Sequence, residues 1–227
     1  MNSSVEFMII RGIILYLGFL FAITVYQGTI AIVARKLGDR SFTTNQMATI
    51  NPLPHIELFG TVILPLMAII LHAPFIIGWP KTFSLETRYF AKPKRDINII
   101  YISAVAANFL VAFIVMVIFR AIGGGTYLLN PATDLSNPDL LIKFIIGSIG
   151  ITNAILGGLY LLPIPNFSGW QLLINNVSYK LSQKLQEHAL TISIVFLLLI
   201  ILKIFNFYFI FIANLFFVGS NTFMVFG

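Results

Sequence analysis

The stretch NPLPHIELFGTVILPLMAIILHAPFIIGWPK, residues 51–81, is apolar enough to enter a membrane, yet it carries features that a plain spanning helix avoids. Glu57 stands near the start of its apolar part, 56–78; Pro65 interrupts the middle, and His72 and Pro74 lie toward the far end. A proline inside a helix removes a backbone donor and crowds the preceding turn. Irregular backbone at membrane depth is tolerated only where protein or a watery cavity covers it. Segment 56–78 therefore reads either as a span kinked at Pro65 or as a proline-broken, re-entrant element lining an internal cavity.

Flanking charge favours the second reading. If 56–78 spans, Arg35, Lys36 and Arg40 lie opposite Lys81, Arg88, Lys92, Lys94 and Arg95. If it enters and returns, all eight share one side, joined by Lys180 and Lys184. The loop 121–140 on the far side then holds no Lys or Arg, but has Asp134 and Asp139. Basic residues gather on the cytoplasmic side of membrane proteins. Loops 35–55, 79–96 and 170–188 are accordingly expected in the cytoplasm.

Composition demands a membrane. The chain has 227 residues, of which 58% are hydrophobic and 10% charged, with a mean hydropathy of +0.94. A soluble domain of this size cannot hide so much apolar surface. The net charge of +6 sits beside apolar segments, where it meets anionic lipid headgroups rather than nucleic acid. With no cysteine there is no disulfide framework, thiolate metal site or thiol nucleophile.

A membrane helix needs about 20 apolar residues. Segments 12–34, 97–119 and 141–162 qualify, and 189–218 fits either one tilted span or a tight helical pair. Between 170 and 188, Leu173, Val177, Leu181 and Leu185 recur every four residues, which predicts an amphipathic helix at the interface. The expected fold class is thus an all-α polytopic membrane protein with about four to six membrane helices, read as a single domain over 1–227. Its motif-bearing core is 12–170, followed by the interfacial helix and the C-terminal membrane segment.

Several stretches in order carry a resemblance. YQGTIAIVARKLGD (26–39) ends in Leu37-Gly38-Asp39, with Ala31 and Ala34 at small positions; NPLPHIELFGTVILPL follows at 51–66. Then come PFIIGWPK (74–81), RYFAKPKRD (88–96), Asn108, and LLPIPNFSG (161–169). Together these resemble the site-2 protease family of intramembrane zinc metalloproteases, in particular its compact bacterial branch without a PDZ domain. Its corresponding motifs are an H-E-x-x-H helix running into Leu-Gly-Asp, N-P-L-x-H-I-D-x-x-G-T-L-L-L-P-L, P-F-G-W-A-K, a basic run, A-G-P-x-x-N and L-L-P-I-P-P-L-D-G. The agreement covers 26–169. Ser103-Ala104-Val105 replace A-G-P, and Glu57 replaces an aspartate.

The departures fall on the chemistry. The resemblance implies two histidines one helical turn apart and a distant aspartate as zinc ligands, with a glutamate as general base. Such a set shares one helix face and leaves a coordination position open for water, whose pKa the metal lowers. The matching positions here are Tyr26, Gln27, Ile30 and Ser168. A phenol and a hydroxyl are poor zinc ligands, isoleucine has no donor atom, and an amide cannot take a proton. No catalytic residue and no cofactor is therefore expected, although the family implies zinc. A substitute metal site would have to draw on His55, His72, His188, Glu57 and Glu86, whose spacing is unsuited to it. Ser168 lacks a G-x-S-x-G setting and a neighbouring histidine, so it reads as a turn serine.

Polar groups deep in a membrane helix usually face protein. Tyr26, Gln27, Asn108, Asn153 and Ser168 are expected to cluster where the zinc would have been, with His55 and Glu57 beside the same cavity. The reading that follows is an inactive protease relative that binds another integral membrane protein, or its transmembrane segment, through this cavity. It is expected in a bacterial cytoplasmic membrane, in contact with lipids and not with nucleic acid. The alternatives are a metalloprotease or other hydrolase with a non-standard ligand set, a small transporter or channel, and a structural part of a larger membrane assembly.

Overall fold

The computed structural model describes residues 3–71, 76–125 and 135–216, and they form an all-α membrane protein. His72, Pro74 and Asp134 fall outside those residues. Three described helices are long and apolar enough to cross a membrane: α1 (Ser3–Lys36), α4 (Pro93–Ala121) and α5 (Pro138–Leu161). They pack on one another, with α5 the most enclosed. Small residues Gly147, Gly150, Ala154, Gly157 and Gly158 on α5 are buried, as befits helices that associate by close backbone approach.

On α1 the partition is clean. Leu15, Phe19, Ala22, Ile23, Tyr26 and Ile30 are buried, whereas Ile9, Ile13, Leu17 and Phe21 form an exposed stripe at every fourth residue. Both faces are apolar because the second one meets lipid.

The segment that decided the fold enters and returns. Short α2 (Phe42–Met47) and a 3₁₀ turn (Leu53–His55) bring the chain back to α1, where His55 lies beside Gly28. From there a π-helical stretch (Leu58–Ile63) and α3 (Leu64–Ile70) run along α1 as far as Gly12, which Ile69 abuts. That is a descent of about 24 Å at 1.5 Å per residue. Residues 76–81 then come back without regular secondary structure: Gly78 meets Phe19, and the Lys81 carbonyl meets Gln27. Pro65 does not break this element, as the sequence had suggested. It sits in the first turn of α3, directly after the π-helical stretch, where a missing N–H is easily tolerated. Glu57 begins the element by accepting the Gly60 N–H at 2.6 Å.

One further expectation needs correction. The interfacial helix is two helices, α6 (Ser168–Asn176) and α7 (Tyr179–Glu187), because Val177 is extended. Asn175 and Asn176 tie α6 to Asn98 and the Lys94 carbonyl on α4, leaving only α7 as the exposed amphipathic piece. Of the two readings open for 189–218, the described part, 189–216, takes the helical pair: α8 (Ala189–Ile201) and α9 (Asn206–Phe216). Lys203, in left-handed conformation at φ 61°, ends α8, and Ile204 N–H returns to the Leu199 carbonyl. Counting α7 with α8, which meet at 65°, gives up to four spans among the described residues, the lower end of the expected range.

Leu37-Gly38-Asp39 has a definite structural job. Gly38 adopts φ 118°, a backbone open to glycine, and turns the chain so that Asp39 is fully buried. The Asp39 carboxylate accepts Ser41 N–H at 2.9 Å, Glu86 N–H at 3.0 Å and the Thr44 hydroxyl at 2.8 Å. Burial alone would raise its pKa; the bonds from Ser41, Glu86 and Thr44 outweigh it and hold the carboxyl below the ordinary value. A depressed pKa means stabilisation that is complete above the unfolded value near 3.9 and lost as pH falls through the folded one. Asp39→Ala should cost about 1–3 kcal/mol at neutral pH in detergent melts, from the stranded donors. The gap from the parent chain should narrow as pH drops below about 4.

Candidate functional site

At two of the three positions where the resemblance implies zinc ligands, Tyr26 and Ser168, the side chains bind each other. Tyr26 and Ile30 share a face of α1 one turn apart, and both are buried. Across from them, the loop after α5 delivers Ser168 as the first residue of α6. The Tyr26 hydroxyl accepts Ser168 N–H at 3.0 Å and shares a second hydrogen bond with Ser168 Oγ at 2.9 Å. Helix α6 has no side-chain cap of its own, because Phe167 stands at that position. Tyr26 supplies the missing acceptor from another helix. Its ring packs on Tyr160 with centroids 4.0 Å apart, and Tyr160 in turn meets Phe167 at 5.1 Å.

A zinc ion does not fit this donor set. The Tyr26 and Ser168 oxygens are spent on each other, Ile30 offers no donor, and the ring stack fills the space between the helices. Among the described residues no three His, Asp or Glu side chains come together as a metal site.

Gln27 points elsewhere. Its amide donates to the Lys81 carbonyl at 2.8 Å and so grips the returning segment. That segment is held along its length: Lys81 N–H donates to the His55 carbonyl at 2.8 Å, Trp79 N–H to the Gly60 carbonyl at 3.2 Å, and the Thr61 hydroxyl to the Trp79 carbonyl at 3.0 Å. Tyr160 adds a bond from its hydroxyl to the Gly78 carbonyl at 3.3 Å. A carboxylate at position 27 could not make the Gln27 bond, since it has no donor when ionised.

The other candidates scatter. His55 is fully buried and bonds the Thr49 carbonyl through Nε2 at 3.1 Å; burial pushes its pKa down, which leaves it neutral at pH 7 with Nε2–H as donor. Glu57 caps the π-helical stretch and does not line the cavity. Asn108 reaches from α4 to the Ala22 carbonyl at 3.3 Å, one turn from Tyr26. Asn153 bonds Ile149 within its own helix at 2.8 Å, so it is not part of a shared cluster. The expected five-residue cluster is thus a tight Tyr26–Ser168 pair, with Asn108 and Gln27 making separate ties.

A cavity of about 370 Å³ opens beside Gln27. Its polar wall is Gln27, Thr82, Ser84, Asn166 and Gln171, over an apolar floor that includes Ile30 and Ile97. A second space of about 310 Å³, mostly apolar, lies between the re-entrant element, the loop after α5, and α8. Asn166, in left-handed conformation at φ 72°, borders both. Of the seven candidate residues only Gln27 lines the polar cavity. Tyr160, Thr82, Ser84 and Gln171 were not singled out from the sequence. The PFIIGWPK motif could have pointed to the segment leading into Thr82; nothing local marks Tyr160, whose contacts are far away in the chain.

Tyr26→Phe should destabilise the chain by about 1–3 kcal/mol by stranding Ser168 N–H and Oγ. Combined with Ser168→Ala it should cost less than the sum of the two single changes, as read from detergent melts.

Sequence comparison bears out the resemblance seen in the motifs. The chain is 28% identical over 187 residues to "Putative zinc metalloprotease YwhC" of Bacillus subtilis (strain 168), a match covering 78% of this chain and 75% of that protein. No family model and no solved structure matches the chain.

Proposed function

We propose that the chain is a site-2 protease relative that has given up peptide hydrolysis and works by binding another integral membrane protein. The observation that carries this reading is the Tyr26–Ser168 pair at the ligand positions that the family resemblance assigns, with Gln27 tied to the Lys81 carbonyl where the resemblance implies a general base. Hydrolysis would require an acceptor at position 27 and donor atoms free to bind metal. The binding role draws its support from the neighbouring spaces, which combine apolar and polar walls near the re-entrant element. We place the protein in a bacterial cytoplasmic membrane, with the basic end formed by Arg35, Lys36, Lys92, Lys94 and Arg95 facing the cytoplasm. Zinc is not part of this reading.

Tyr26 and Ser168 are too buried to report on a partner, so the test uses the cavity rim. A photocrosslinker at Thr82, with one at lipid-facing Ile13 as control, should trap a membrane protein in cells from Thr82 alone. The trapped protein should be full length, and chelator should change neither its yield nor its size. A partner recovered as a fragment, with cleavage abolished by chelator, would contradict the proposal.

A further inference from the structure

The polar cavity beside Gln27 has an unusual chemistry for the basic end of a membrane protein. Gln27, Thr82, Ser84, Thr87, Asn166 and Gln171 give it donors and acceptors, yet none of the side chains lining it carries a charge. Lys81 precedes Thr82 directly, and Glu86 pairs with Arg88 at 3.1 Å, so charges stand close by but outside the wall. The second space, which Asn166 also borders, is lined by residues that include Leu64, Ile77, Trp79, Leu197 and Ile200. Thr82 and Ser84 are exposed and lie in a segment without regular secondary structure.

This lining discriminates among occupants. A phospholipid headgroup brings a phosphate, which needs cationic or clustered N–H donors. The cavity has no Lys or Arg, and the N–H of Ser168 at the start of α6 is already taken by Tyr26. Charged side chains would lose water here without finding a counter-charge. Amides and hydroxyls, in contrast, match the neutral donors and acceptors of the wall. Taken with the partner-binding reading on which it rests, this leads to one conclusion. We infer that the two spaces, which share Asn166 as a border, take a stretch of a partner polypeptide that is apolar and then uncharged-polar, and that they select against a charged flank at the membrane exit.

Defined peptides test this. Each carries a Leu/Ala membrane segment followed by a Ser/Thr/Asn tail, an Asp/Glu tail or a Lys/Arg tail, and is labelled with a fluorophore. The protein, reconstituted in uncharged phosphatidylcholine nanodiscs, carries the acceptor dye on Gln183→Cys; the chain has no other cysteine. Energy transfer should show the neutral tail binding about tenfold or more tighter than either charged tail, a difference of about 1.4 kcal/mol. Gln171→Glu should shift the preference to the basic tail, and Gln171→Lys to the acidic one.

Equal affinities for the three tails, untouched by the Gln171 changes, would overturn the selectivity while leaving partner binding intact. So would tightest binding of the acidic tail, which would report only the basic surface. Displacement of the neutral tail by an anionic lysolipid would assign the cavity to a headgroup instead. Failure of every peptide to bind would overturn both the inference and the reading beneath it.

Discussion

Gly78→Ala should be among the most damaging single methyls that can be added to the described residues. A Cβ at Gly78 would fall inside the van der Waals shell of the Gly60 carbonyl oxygen and 2.7 Å from Phe19 Cζ. Neither neighbour can retreat cheaply. Gly60 is buried in the π-helical stretch, its carbonyl is bonded to Trp79 N–H, and Phe19 lies in the core of α1. The returning segment is fixed directly after Gly78 by Trp79 and Lys81. Overpacking of this kind costs about 3 kcal/mol or more when backbone must move. The variant should lose monodisperse protein in detergent or melt far below the parent. Gly18→Ala is the control: its Cβ would have 3.6 Å to the Ser148 carbonyl oxygen, and alanine should be neutral or stabilising by up to about 1 kcal/mol in a helix.

Converting the site back should change metal affinity more than any loss could. The variant carrying Tyr26→His, Gln27→Glu, Ile30→His and Ser168→Asp places two imidazoles on one face of α1 and a carboxylate opposite them. The backbone frame is suited to this: Tyr26 and Ser168 already meet across the helices at hydrogen-bonding distance. It should bind about one zinc ion per chain, removable by chelator. Glutamate at 27 also removes the donor to the Lys81 carbonyl, so amide hydrogen exchange around Lys81 should quicken. A folded quadruple variant without zinc would mean that the frame no longer keeps the ligand geometry.

How much of this was legible depends on whether a feature is local. The spans were visible because each is a continuous apolar run, and charge on the flanking loops pointed to the return of 56–78. The boundary at Val177 was not visible: its every-fourth-residue pattern continues across the break, and the amide ties from Asn175 and Asn176 to α4 decide where α6 stops. Pro65 looked like a break because a proline's cost is local, whereas the π-helical stretch before it absorbs that cost.

At the site, the sequence identified which positions carry residue types unsuited to a metal, since residue type alone excludes an isoleucine as a ligand. It placed Tyr26 near Ser168 only through order in the motifs. It could not foresee that the phenol caps α6, that Tyr160 stacks on it, or that Asn153 bonds within its own helix. Those outcomes are set by competition for a buried polar group between long-range partners and the backbone carbonyls of its own helix, as at Asn153.

The central claim, that the zinc chemistry has been replaced by a tyrosine–serine tie, is tested most directly by metal analysis of the purified chain alongside a cleavage assay on a membrane-segment peptide. The account predicts no stoichiometric zinc and no cleavage, with or without added zinc. Stoichiometric zinc together with cleavage abolished by chelator would contradict it.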